Sequence, residues 1–279
     1  MKLDKDDIIH HINTTYEETL FTLLQENEII NTTTLYESCK KELYDIYELN
    51  TNETNITSSG KYYIDLILEP LIKEFVSQTY VKFYSYQKIT SKFLQLKELK
   101  LPEQRSPEWY AIRENILTAS SLADALGKGH FQTRDELLFN KSSQEKKPFV
   151  SHWIMEWGVK YEDVAIQFYE ELTGSRIMDF GLIPHPELKV FGASPDGICD
   201  ETSSPNYVGR MLEIKCPPKR VFTNDVPEHY WMQIQGQLET CNLEECDFFQ
   251  VKIIEYKTLK EYDEDNFSIN DVIQPGRTS

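Results

Sequence analysis

Residues 211–216 read MLEIKC, and a short way before them residues 193–200 read ASPDGICD. The hexapeptide has the apolar weight of a buried strand, yet it carries a glutamate and a lysine. Side chains alternate across a strand, so Glu213 and Lys215 share one face and Ile214 takes the other. Opposite charges on a mostly buried face are costly unless that face opens on a cleft or a bound ion. Asp196 stands at the end of a preceding strand, held by Pro195 and turned by Gly197. Two carboxylates and the backbone carbonyl of Ile214 make an all-oxygen pocket, the donor set that suits Mg2+ or Mn2+. Lys215 beside it can orient an attacking water and neutralise charge developing on a phosphate. The plainer alternative is a buried ion pair with an unrelated aspartate in a turn, because Asp…Glu-x-Lys is short.

Outward from this stretch the pattern is that of an α/β domain. RIMDFGLIPHPELKVFGASPDGICD (176–200) predicts two short strands, MLEIKC a third and DFFQVKIIEY (247–256) a fourth. Upstream, WIMEWGVKYEDVAIQFYEELTG (153–174) is an amphipathic helix with Trp157, Tyr161, Ala165, Phe168 and Leu172 on one face and Gly174 at its end. PEHYWMQIQGQLETCN (227–242) is a second, with Trp231, Ile234, Leu238 and Cys241 on one side. Ser106-Pro107-Glu108 starts a helix, Thr118 or Ser120 caps another that stops at Gly127, and FQTRDELLFNKSSQEKKP (131–148) is a helix followed by a lysine-bearing loop. The expected fold is a mixed central sheet flanked by helices over residues 99–279.

Residues 1–98 predict a mainly helical extension. TYEETLFTLLQENEII (15–30) and the apolar run over 61–96 have helical spacing, and the polar NTNETNITSSGK (50–61) reads as the loop between them. This region offers no chemistry and reads as an accessory or docking segment.

Hydrophobic residues make up 40% of the 279 and charged residues 27%, so a packed core is expected rather than disorder. The net charge of −17, from 46 acids and 29 bases, argues against a nonspecific nucleic-acid coat. The charge is uneven: residues 1–50 hold 4 bases and 11 acids, whereas 81–147 are rich in lysine and arginine, so the middle can face a polyanion. No run of about 18 apolar residues predicts a membrane span, and the first residues lack the order of a signal peptide. The five cysteines form no CxxC pair or close triplet, which points to reduced thiols and away from an iron–sulfur cluster. The histidines show neither HExxH nor a zinc pattern, and no phosphate loop supports ATP-driven chemistry. An intracellular, non-secreted protein is expected, its compartment left open between cytoplasm and nucleus.

Asp196 with Glu213-Ile214-Lys215 resembles the PD-(D/E)xK motif of restriction-endonuclease-like nucleases. Five blocks in order, WYAIRENILTAS (109–120), EWGVKYED (156–163), GASPDGICD (192–200), LEIKCP (212–217) and YWMQIQGQLE (230–239), are similar to the phage lambda exonuclease and YqaJ-type viral recombinase family. The resemblance implies that Asp196, Glu213 and the Ile214 carbonyl bind metal, with Glu162 supporting from the helix. It implies Lys215 as catalytic lysine and Gln233 as the active-site glutamine, with Gln235 in the alternative register. Arg113, Ser120 and Ser194 match the family's pocket for a 5′-terminal phosphate. The implied activity is Mg2+-dependent digestion of one strand of linear duplex DNA, 5′→3′ from a phosphorylated end, for recombination or repair. Implied partners are duplex DNA ends and a single-strand annealing protein, and the implied assembly a homo-oligomer. Residues 1–98 have no counterpart in the phage enzyme, and the chain stops soon after its last predicted strand. Both departures weaken transfer of the family's ring-shaped trimer. Internal cutting by the same site, or a non-catalytic DNA-end or recombinase-binding module, are the alternatives.

Overall fold

A computed structural model describes residues 4–51, 58–143, 152–223 and 225–264. The chain divides into two compact units, Met1–Lys88 and Ile89–Ser279.

The first unit is built from α1 (Lys5–Gln25), α2 (Thr32–Thr51) and most of α3 (Ser58–Lys97). A reciprocal cap starts α1: the Asp7 N–H donates to Asp4 Oδ1 at 2.9 Å and the Asp4 N–H to Asp7 Oδ2 at 3.1 Å. Asn31 does the same work for α2, its Oδ1 accepting from the N–H groups of Thr33 and Thr34. Ile8, Ile12, Leu43, Ile64, Leu68 and Ile72 are fully buried at the centre, each contributing about 1.5–3 kcal/mol through apolar burial. The predicted loop over 50–61 is shorter than expected, because α2 runs to Thr51 and α3 begins at Ser58; residues 52–57 lie outside those described.

The division falls inside α3, between Lys88 and Ile89, rather than at residues 98 and 99. The last turns of α3, from Ile89, belong to the second unit, where Phe93 is completely buried edge-on against Phe180, ring centroids 6.0 Å apart.

In the second unit α4 (Pro107–Asn115) begins as predicted, with Ser106 Oγ accepting from the Trp109 N–H at 3.2 Å and Pro107 in the first turn. The cap expected at Thr118 or Ser120 does not form. Thr118 closes the two-residue strand β1 (Leu117–Thr118), and Ser120 lies in a 3-10 turn, Ala119–Ser121, that leads into α5 (Leu122–Ala125). α6 (Arg134–Ser142) and α7 (Trp153–Thr173) follow, α7 ending on Gly174 at φ 65°. The lysine-bearing loop with Lys146 and Lys147 lies outside the described residues.

Where the sequence predicts two strands over 176–200, the structure has four: β2 (Ile177–Met178), β3 (Ile183–Pro184), β4 (Phe191–Ala193) and β5 (Gly197–Cys199). Then come β6 (Met211–Lys215), α8 (Glu228–Cys241), β7 (Cys246–Gln250) and α9 (Leu259–Glu264). β7 is half the length expected from the apolar run. One sheet runs β2-β5-β6-β7, antiparallel except for the parallel β6–β7 pair; the other runs β1-β4-β3, with β1 parallel to β4. The expected mixed α/β architecture with flanking helices holds.

β6 shows why it needs both helices. Leu212 and Ile214 pack with Ala165 and Tyr169 of α7, while Met211 on the opposite face packs with Cys241 of α8. Tyr161 and Trp157 join the buried side of α7, but Leu172 stays 40% exposed, off the face assigned to it. On α8, Trp231 is 53% exposed rather than buried. Among the described residues no helix is long and apolar enough to cross a membrane.

Candidate active site

The alternation of β6 sends Glu213 and Lys215 toward α8. Glu213 is fully buried, and a carboxylate at such a depth needs donors on both oxygens. It has three. Lys215 Nζ and Gln233 Nε2 donate to Oε1, the latter at 2.7 Å, and Gln237 Nε2 donates to Oε2, also at 2.7 Å. Gln233 and Gln237 are one helical turn apart and so project from the same side of α8. Gly236 between them lets the helix approach: a Cβ there would lie 3.1 Å from Leu122 Cδ2 and from Phe191 Cζ.

Asp196 lies in the turn between β4 and β5, half-buried, with Oδ2 accepting from the Ile214 N–H at 2.6 Å. Burial pushes its carboxyl up to about 8, Glu213 adds to the rise, and Lys215 only partly opposes it. Burial works to lower Lys215, yet Glu213 and Asp196 together outweigh it and hold the ammonium above its usual value. Tyr230 caps the site from α8, its ring 5.0 Å from Lys215 Nζ.

Glu162 sits on α7 and is held by Arg105 Nη2 at 2.7 Å. Burial raises its carboxyl above the ordinary value, and Arg105 opposes the shift. Arg105 itself takes φ 65°, a backbone region that non-glycine residues rarely occupy.

The remaining sequence-predicted residues form a second polar cluster. Arg113 Nη2 donates to Ser120 Oγ at 3.3 Å, and its guanidinium lies over the Trp109 ring at 4.3 Å. Ser120 Oγ is also 3.1 Å from Thr118 Oγ1. Trp109 Nε1 donates to Ser194 Oγ at 3.3 Å, so Ser194 joins Arg113 through the indole rather than directly. The Ser194 carbonyl in turn accepts from Gln237 Nε2 at 3.4 Å, which ties this cluster to Glu213. Burial lowers Arg113 from its usual value. Gln235 points elsewhere: it is exposed on the far side of α8.

Among the described residues no three Asp, Glu, His or Cys side chains converge as a metal cage. Glu162 is paired with Arg105 instead, which leaves Asp196 and Glu213 as the two central carboxylates. That donor set fits a hard divalent cation of the Mg2+ class, which takes one or two carboxylates and completes its shell with water and phosphate oxygens. Cys216, next to Lys215 in sequence, turns its Sγ toward the Tyr161 carbonyl at 3.9 Å. All five cysteines are free thiols.

Three residues of the site escape the sequence reading. Gln237 is the strongest, and its signal is the Gln-x-x-x-Gln spacing with Gln233. Trp109 and Arg105 act across 85 and 57 positions of sequence, and nothing local marks them.

A mixed sheet brings Asp196, Glu213 and Lys215 together with a helix acid behind them, the arrangement that the PD-(D/E)xK resemblance implies. Residues 108–244 match the family model of the YqaJ-like viral recombinase domain, in agreement with the resemblance of the five blocks. The chain is similar to an uncharacterized protein of Acanthamoeba polyphaga mimivirus, 32% identical over 61% of this chain and 33% of the relative. A protein of African swine fever virus is 27% identical over 49% of this chain and 46% of its own length. The chain thus spans less than half the length of these relatives. Among solved structures, LHK-Exo in complex with dAMP aligns at 29% identity and a TM-score of 0.43, over 53% of this chain and 74% of that one. The alkaline exonuclease LHK-Exo from Laribacter hongkongensis aligns over the same shares with a TM-score of 0.42.

Proposed function

We propose that this chain is a divalent-metal-dependent deoxyribonuclease that digests one strand of linear duplex DNA, 5′→3′ from a phosphorylated end. The observation that carries the reading is the fully buried Glu213, held by Lys215, Gln233 and Gln237 with Asp196 across from it. A purely structural core has no use for a lysine, two glutamines and two carboxylates at one strand end, since each costs desolvation.

Asp196, Glu213 and the Ile214 carbonyl would hold the cation, with Glu162 in support once it leaves Arg105. When bound, the cation polarises the phosphate and offsets its charge. Lys215 supplies a fixed positive charge beside the phosphate oxygens, where negative charge grows as water attacks. Gln233 and Gln237 keep the Glu213 carboxylate in one orientation, and Gln233 shares with Lys215 the placing of the water. The water oxygen bonds to phosphorus, the bond to the leaving sugar oxygen breaks, and that oxygen takes up a proton. Arg113, with Ser120 and Ser194, holds the terminal phosphate: a guanidinium is a forked donor matched to phosphate, and stacking on Trp109 fixes its plane. The single strand left behind suits a single-strand annealing protein acting next in recombination or repair.

The test is a digestion time course on 5′-phosphorylated linear duplex, the same duplex with a 5′-hydroxyl, and covalently closed circles. Digestion in Mg2+ or Mn2+ that stops in EDTA, is fastest on the 5′-phosphate and spares circles is expected. Cut circles would make the enzyme an endonuclease, and DNA binding without turnover would make it a binding module.

A further inference from the structure

Beside the catalytic lysine the second unit carries a run of aromatic rings that the reaction does not use. His229 lies 4.0 Å from Tyr230 and 4.6 Å, edge-on, from His130, with the Phe131 ring 6.1 Å away. Tyr230, at the inner end, has Lys215 at 5.0 Å and Arg220 at 5.3 Å from its ring. The run therefore leads from the centre of the site, between two cations, out to a Phe131 that is 78% exposed.

The outer end is built, not loose. Gly129 sits so close to α5 that a Cβ would fall 1.5 Å from Asp124 Oδ1 and 2.8 Å from the Asp124 Cα. On the other side of the two rings, Gln132 Nε2 donates to Asp124 Oδ2 at 3.1 Å. The buried Asp124 thus pins the loop at both flanks of His130 and Phe131, and the large apolar ring faces solvent on a fixed backbone. The Nδ1 of His229 is buried with no hydrogen-bond partner. Burial, then His130, Arg220 and Lys215, lower the His229 imidazole from its usual value, with Asp124 opposing.

We infer that Tyr230, His229, His130 and Phe131, with Arg220, form a stacking shelf for unpaired bases of the DNA strand beside the scissile phosphate. Aromatic rings stack on any base, and flanking cations hold the backbone that links them. The inference rests on DNA being the ligand, as proposed above, and adds the part of it that is recognised: nucleotides already separated from their complement.

The test uses the full chain in EDTA and two duplexes, one blunt and one ending in a few unpaired nucleotides that include 2-aminopurine. The tailed duplex is expected to bind more tightly, with its 2-aminopurine fluorescence quenched by stacking. Phe131→Ala and His229→Ala should each weaken the tailed duplex on the order of tenfold, abolish the quenching and leave blunt binding nearly unchanged. Phe131→Tyr should restore both readouts. Phe131 is too exposed for its loss to unfold the domain, and Gly129→Val, which displaces the loop without removing a ring, should give the same loss. Equal affinity of the unaltered chain for both duplexes, or wild-type quenching in the alanine variants, overturns the shelf. Digestion in Mg2+ separates this from the activity itself. A chain that stacks the tail but cleaves nothing keeps the shelf and loses the nuclease, whereas cleavage with no preference for the tail does the reverse.

Discussion

The two units of the chain solve the same packing problem with different materials. In the first, the described interior is aliphatic and aromatic, and Thr79 is its one buried polar side chain, its hydroxyl donating to the Phe75 carbonyl at 2.9 Å. In the second, Thr118, Asp124, Ser175, His185, Ser203, Glu213, Gln237 and Thr240 are all buried. An apolar interior needs only the right volume and period, whereas each buried polar group must find a partner of fixed geometry. Of the eight, Glu213 and Gln237 bond to each other at the candidate site, whereas Ser203, His185 and Thr240 bond to backbone groups, as Thr79 does. The contrast is therefore sharpest at Glu213 and Gln237.

The comparison is broken most severely at Lys215. Lys215→Ala should lower Mg2+-dependent hydrolysis of linear duplex by about a thousandfold, the scale of losing one charge-stabilising donor, while DNA binding stays measurable. Full activity in that variant would remove the second unit's claim to be a catalytic one. Leu68→Ala makes the reciprocal case. It removes a fully buried side chain from the first unit and should cost ~2–5 kcal/mol in urea unfolding, with the rate per folded molecule unaltered. Gln237→Leu sharpens the contrast because it is apolar and nearly isosteric. In an ordinary core it would be neutral; here it strips a donor from Glu213 and should cost ~1–3 kcal/mol, read as a lower unfolding midpoint together with slower hydrolysis.

The smallest effect is a pH dependence in the first unit. Burial pushes Asp65 up, but Lys40 Nζ at 2.7 Å and Tyr44 at 3.0 Å outweigh it and hold the carboxyl below its ordinary value. Its folded value lies below its unfolded one, so the pairing stabilises fully above about pH 4 and is lost as the pH falls through the folded value. Asp65→Asn should flatten the decline of stability below about pH 4, measured by urea midpoints across that range.

The helices α7 and α8 were legible because fourteen or more residues of 3.6-residue period leave a firm signal. So was the Glu213–Lys215 face, since one residue of alternation decides it. The short strands were not. A pair such as Leu117 and Thr118 joins a sheet only because Phe191 and Gly192 lie alongside, and two residues contain no period. Trp231 was placed on one side of α8 with Ile234, Leu238 and Cys241 by spacing, but in the first turn of the helix it lies exposed. Gln237 went unread for the opposite reason: a glutamine looks like surface until the buried carboxylate it serves is known. Arg105 and Glu162 meet only through the tertiary fold, and Ser194 reaches Arg113 only through the indole of Trp109.

The continuity of α3 has a practical side. Phe93 and Leu96 lie in the core of the second unit with Phe180, Ile183, Ile198 and Met211, although the helix that carries them begins in the first. A protease or a cloning scheme that opened the chain between Pro102 and Pro107 would therefore remove a wall of the second unit's core along with the first unit. The remaining fragment would begin life with an exposed hydrophobic hollow beside β6 and would aggregate, whereas cleavage near residue 88 spares that wall.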